Sequence, residues 1–175
     1  MWHSIRLIFS GARVTHGDAV AVSSQPMPIW WRFAMGISCA CYLLPAAVWS
    51  FHGWGRMGAL FVLVSACSTM ADAVRLDWNI VRSVDRAVGA MALTSSCVIN
   101  STTLANAGLC MASVVTSLWW LRAGREVRQA KPEAMVQYLV FHGVWHVWGA
   151  IAVCFVTHHV QSTHLIAKSS EPHDL

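Results

Sequence analysis

The stretch AVGAMALTSSCVINSTTLANAGLCMASVVTSLWWL, residues 87–121, contains no Asp, Glu, Lys or Arg. A single helix of that length would run about 50 Å at 1.5 Å per residue. The hydrocarbon core of a bilayer is about 30 Å thick and is crossed by roughly 20 apolar residues. The stretch is too long for one span and long enough for two. Its most polar and turn-prone part runs from Asn100 through Ser101, Thr102 and Thr103 to Asn106, and the break is expected there.

Three further apolar stretches flank it: residues 33–51 after Arg32, residues 57–74 between Arg56 and Arg75, and residues 138–156. The chain of 175 residues is 56% hydrophobic and 11% charged, where soluble domains carry about 25% charged residues. A soluble fold so poor in charge could not cover its surface, so the bilayer is the natural solvent. The expectation is an all-α integral membrane bundle of about five transmembrane helices, hence a multi-pass protein of an endomembrane, plasma membrane or organellar membrane. Residues 30–157 form this bundle and residues 158–175 a polar C-terminal tail. Residues 1–29 are an N-terminal arm or a targeting segment. Arg6, Arg13, several Ser and Thr, and no acid before Asp18 suit a transit peptide as well as an ordinary arm.

With five spans, Arg6, Arg13, Arg32, Arg75, Arg82, Arg86, Arg122, Arg125, Arg128 and Lys131 lie on one side of the membrane, and only Arg56 and Lys168 on the other. That bias places the N-terminus in the cytoplasm or its organellar equivalent. The net charge of +4 is then a topology signal, and no nucleic-acid surface is expected. Trp30, Trp31, Trp49, Trp54, Trp119 and Trp120 stand at span borders, as interfacial aromatic belts do; Trp145 and Trp148 lie inside the last span. Asn100-Ser-Thr reads as a glycosylation sequon on the non-cytoplasmic side. Cys39, Cys41, Cys67, Cys97, Cys110 and Cys154 all fall within spans and read as small packing residues, with no disulfide framework.

Ionisable groups at membrane depth are costly and usually functional. Here they are Asp72, His142 and His146, with Asp85 at a span entrance. The stretch FHGVWHVWG, residues 141–149, puts His142 and His146 one turn apart on one helix face. Helices that give two imidazoles to one metal use this spacing. Ser65, Ser68 and Asp72 follow at i, i+3, i+7, a polar stripe on the second span. Under the five-span topology Asp72, Asp85, His142 and His146 all lie toward the same membrane face. They come within reach of one another if the second, third and last spans pack together. Asp72, His142 and His146 would then supply three ligands to zinc, with a fourth position open, as in catalytic sites. Two imidazoles on one helix face cannot hold opposite faces of a haem. Three bland roles compete: helix-packing hydrogen bonds for the histidines, ion pairs with Arg75, Arg82 or Arg86 for the carboxylates, and solvated interface positions for His52, His158, His159 and His164.

These residues, in the order Ser68-x-x-x-Asp72, Asp85, His142-x-x-x-His146, resemble the pattern of a membrane superfamily. It joins alkaline ceramidases, adiponectin and progestin receptors, and Per1-like lipid-remodelling proteins. FHGVWHVWG is similar to the His-x-x-Trp-His run in the last helix of alkaline ceramidases. The family pattern is Ser-x-x-x-His, then Asp, then His-x-x-x-His, on a seven-helix bundle. The chain departs from it with Asp72 in place of a histidine and with fewer spans. The resemblance implies a zinc-dependent hydrolase of lipid amide or ester bonds with a membrane lipid as substrate. By position it makes His142 and His146 metal ligands and Asp85 and Ser68 catalytic groups, and it puts Asp72 in the place of the third ligand. The alternatives are a non-catalytic membrane protein, either receptor-like or a small subunit of a complex, and a proton or metal-ion transporter using the same Asp and His groups.

Overall fold

The charge-free stretch breaks where its polar residues can cap. The computed structural model describes residues 29–74, 79–130 and 135–169; the segment read as an N-terminal arm or targeting segment lies outside them but for its last residue. Helix α4 (Asn79–Asn100) ends and α5 (Leu104–Ala130) begins across three residues. Thr103 Oγ1 accepts the backbone N–H of Asn106 at 3.2 Å, and Asn106 Nδ2 donates to Thr102 Oγ1 at 3.0 Å. Side chains thus satisfy a helix start that would otherwise leave amide donors orphaned.

The rest of the described chain is helical as well: α1 (Ile29–Ala40), α2 (Leu43–Phe51), α3 (Gly55–Ser68) running into a π-helical turn (Thr69–Ala73), and α6 (Met135–Ser169). Among the described residues, four segments are long and apolar enough to cross a membrane: Ile29–Phe51, Gly55–Ala73, Leu104–Val127 and Val136–His164. The protein is accordingly an all-α, multi-pass membrane bundle. Helix α4 is long enough at 22 residues, about 33 Å. Arg82, Asp85 and Arg86 in its first turns keep it out of the apolar set. Helix α6 continues through residues expected to form the polar tail, as far as Ser169.

α1 and α2 are one span with a kink. Pro45 has no N–H and its ring crowds the carbonyl four residues back, at Cys41. The chain answers with a turn at Cys41–Tyr42. Tighter bonds run from Cys41 N to Ser38 O at 3.3 Å and from Leu44 N to Cys41 O at 3.0 Å. α2 and α3 then reverse through a turn at Gly53, whose φ of 82° suits glycine. They pack closely because Gly58 has no side chain: a Cβ there would meet Ser50 Oγ and lie 2.9 Å from the Ala46 carbonyl.

The main core joins Tyr42, Trp49, Phe61, Val64, Ala92 and Ala150 from α2, α3, α4 and α6. Trp49 is fully buried there, so it is a core residue and not part of an interfacial belt. Trp30, Trp54 and Trp119 are exposed. Trp148 Nε1 donates to Thr116 Oγ1 at 3.0 Å, tying α6 to α5. The sequon asparagine is also interior. Asn100 is 1% exposed, donates to Thr157 Oγ1 at 3.0 Å and accepts from Gln161 Nε2 at 3.4 Å. It is a helix-packing residue that an oligosaccharide transferase could not reach in this fold.

Candidate metal centre

Three elements converge on His146. The helical i,i+4 spacing puts the His142 and His146 rings side by side on α6. The π-helical turn carries Asp72; its wide i→i+5 bond, Val74 N to Thr69 O at 3.2 Å, rotates the chain relative to a regular helix and re-aims the side chain. Such turns recur at functional sites. The kinked first span brings up Cys39 and Tyr42, with α1 packed on both the π turn and α6.

The distances are short. His142 Nε2 is 3.0 Å from Asp72 Oδ2, His146 Nε2 is 3.1 Å from the same oxygen, and the two Nε2 atoms are 3.2 Å apart. His146 is fully buried; His142 and Asp72 have side chains 12% and 24% exposed. The sequence-based expectation that the second and last spans bring these groups together is met. Ser68 Oγ donates to Asp85 Oδ1 at 2.6 Å, which links the end of α3 to α4 one turn before Asp72. The polar residues thus form two adjacent groups: Asp72 with His142 and His146, and Ser68 with Asp85.

A neutral imidazole nitrogen is either a donor or an acceptor. Both Nε2 atoms can donate to Asp72 Oδ2, whose lone pairs accept two N–H groups. The remaining side of the triangle, 3.2 Å between the two Nε2 atoms, is a second hydrogen bond only if one of them gives up its proton. A single cation at the centre would face all three atoms. Tetrahedral ligands bound at 2.0–2.1 Å stand about 3.3–3.4 Å apart, within a few tenths of an ångström of the observed triangle. The spacing of the three atoms is of the size that one bound cation would require.

Two participants were not legible as such. Cys39 Sγ lies 3.9 Å from His146 Nε2, and the ligand atoms of Cys39, Asp72 and His146 all lie within 4.8 Å of one another, a group that could hold a metal ion. Cys39, read from its apolar setting as a packing residue, is fully buried and is also a member of that group. Tyr42 OH is 3.4 Å from His146 Nδ1, its ring set edge-on to the imidazole. Were Nε2 to face a metal, the proton would sit on Nδ1 and would donate to the tyrosine oxygen, a support that fixes tautomer and ring angle. Trp145, the unplaced tryptophan of the sequence, packs against both histidine rings at 5.3 and 4.5 Å between centroids. Tyr138 flanks His142 at 5.5 Å.

No family model, curated protein or solved structure matches the chain.

At the other end of the bundle, the His52 and His158 rings lie 5.6 Å apart between centroids, tilted at 47°. Burial, with the neighbouring His158, holds the His52 imidazole below its ordinary pKa. His164 bonds to Thr102 and His159 stacks on Phe155, so these residues pair with local neighbours.

Between α1 and α6, on the flank of the metal centre, runs an apolar groove of about 530 Å³ lined by residues including Trp31, Met35, Ser38, Gly143 and Val147. Gly143, beside His142, faces Ser38 across the groove; a Cβ there would sit at an ordinary contact distance of 3.8 Å from that of Ser38.

Proposed function

We propose that this protein is a zinc-dependent membrane hydrolase of lipid amide or ester bonds, with Asp72, His142 and His146 holding the metal. The observation that carries the proposal is the triangle of Asp72 Oδ2 and the two Nε2 atoms, with no side more than 3.2 Å long. A carboxylate is an established zinc ligand, so Asp72 can stand where the ceramidase-like pattern has a histidine. Two neutral imidazoles and one carboxylate match the ligand set of several hydrolytic zinc enzymes. Zinc bound there would act as a Lewis acid and bring water into its nucleophilic form near neutral pH.

The chain's own residues do the rest. Asp85 takes the proton from the attacking water and returns it to the leaving amine or alcohol. Ser68, donating to Asp85 Oδ1 at 2.6 Å, holds that carboxylate in one rotamer. Tyr42 positions His146 from behind. The groove between α1 and α6 is apolar and lies between helices long enough to cross a membrane, which suits acyl chains whose scissile bond must reach Asp72 and the histidines.

The test is turnover. Zinc-loaded protein in mixed lipid micelles is expected to release fatty acid from a lipid amide or ester. Asp85→Asn is expected to keep its metal and lose activity by about 10²–10⁴-fold, the usual worth of a general base. Absence of release from any lipid amide or ester by fully loaded protein refutes the hydrolase. Unchanged turnover in Asp85→Asn removes that residue from the reaction.

A further inference from the structure

We propose that Cys39 is the fourth protein ligand of the metal, so that the loaded resting site is closed by a thiolate and hydrolysis requires Cys39 to withdraw. The inference rests on the metal site proposed above and adds its regulation. Cys39 Sγ stands 3.9 Å from His146 Nε2 and within 4.8 Å of the Asp72 carboxylate ligand atom. Zinc–sulfur and zinc–nitrogen bonds of about 2.3 and 2.0–2.1 Å at a tetrahedral angle put sulfur and nitrogen about 3.6 Å apart. Measured from His146 Nε2, Sγ is a few tenths of an ångström beyond that separation; it also lies within 4.8 Å of the Asp72 ligand atom, so metal binding would draw the thiolate inward. Its side chain is wholly buried, so it competes with no bulk water for the place.

Charge points the same way. A dication held by one carboxylate and two neutral imidazoles keeps a net charge of +1 inside a membrane bundle, where uncompensated charge is costly. A thiolate brings the site to neutrality. On binding, the Cys39 S–H bond breaks heterolytically; the sulfur keeps the electron pair and bonds the metal, and the proton leaves to solvent, as metal binding to thiols requires. No oxidant or reductant is involved.

The fold also offers a way out. Cys39 sits at the end of α1, immediately before the turn at Cys41–Tyr42 that Pro45 enforces. Motion of α1 about this kink shifts Cys39 while Asp72, on the π turn, and the histidines, on α6, stay in place. Ser38, next to Cys39, lines the groove between α1 and α6. A lipid chain entering that groove would press on the helix that carries the thiolate.

The experiment is X-ray absorption at the zinc edge of the full-length wild type loaded with zinc in detergent, beside Cys39→Ala. The wild type is expected to show one sulfur at about 2.3 Å with nitrogen and oxygen at 2.0–2.1 Å. Cys39→Ala is expected to show nitrogen and oxygen alone, and to bind zinc more than about 100-fold more weakly, beyond the range for loss of a supporting residue. Its fatty-acid release per bound zinc should rise. A wild-type shell of nitrogen and oxygen only overturns thiolate ligation and leaves the three-residue site standing. Sulfur scattering retained in Cys39→Ala assigns the ligand to another cysteine and overturns the proposal. Release per bound zinc that falls in the variant overturns the gate. Wild type that binds no zinc overturns this inference and the metal site together. The wild-type spectrum decides the ligand even if the variant does not fold.

Discussion

Tyr42→Phe removes a single oxygen from a buried side chain and should weaken the metal site from behind. Tyr42 OH is 3.4 Å from His146 Nδ1, and a Cβ at Gly149 would come within 3.5 Å of it, so the hydroxyl is held against α6. In the metal-bound site its partner would be Nδ1–H, which leaves Nε2 free of a proton to bind the metal. Loss of such a supporting bond costs about 10–100-fold in metal affinity. At 3.4 Å the bond is longer than the usual 2.7–3.2 Å, which places the effect near the lower end, about tenfold or 1.4 kcal/mol. The assay is competition for zinc against a chromophoric chelator in detergent, with helical content monitored by circular dichroism. Affinity within about twofold of wild type, in a folded variant, refutes the role given to Tyr42 in setting the tautomer. A loss beyond about a thousandfold refutes it too, since a supporting bond cannot carry that much.

Other outcomes are equally definite. Asp72→His should keep about one zinc per chain if the ceramidase-like pattern describes the site, and metal analysis that finds the variant empty would show that Asp72 binds in a geometry a histidine cannot copy. Gly58→Ala should cost about 1–3 kcal/mol of stability by overpacking, because the added methyl meets backbone at Ala46 as well as Ser50; thermal unfolding unchanged from wild type would contradict the close approach of α2 and α3. His52 should titrate below the ordinary imidazole range by NMR, and His158→Ala should bring its midpoint upward. Because the folded-state value is the lower one, this group favours the fold above the unfolded imidazole pKa, and that preference is lost as pH falls through the folded value. A His52 midpoint at or above the ordinary imidazole value would contradict the packing described at that end of the bundle.

Much of this architecture was legible in the residues because it follows from spacing and charge. The length of residues 87–121 demanded a break, and Thr102, Thr103 and Asn106 supplied the side chains that make it. The i,i+4 pair His142 and His146 and the polar stripe ending at Asp72 gave the two halves of the centre, and chain direction brought them to the same level. Cys39 and Tyr42 escaped notice for a physical reason. A cysteine in an apolar helix reads as a packing residue, and their aim at His146 depends on the kink that Pro45 imposes and on how α1 lies across α6. The π turn under Asp72 has no sequence period of its own, since its one wide hydrogen bond is decided by tertiary packing. Trp49 and Asn100 misled for the opposite reason. Their residue types suit an interface and a sugar acceptor, and only the packing of α2, α4 and α6 shows both inside. The proline and the paired polar groups of the first span were signals that could have directed attention to residues 38–42.

Metal content is the most direct measurement. Protein purified in detergent, stripped and reloaded with zinc, should carry about one zinc per chain. The double variant His142→Ala/His146→Ala, folded by circular dichroism, should carry none. Stoichiometric zinc in the double variant, or none in a folded wild type, would contradict the metal centre and leave the triangle of Asp72, His142 and His146 as a proton-sharing or packing cluster.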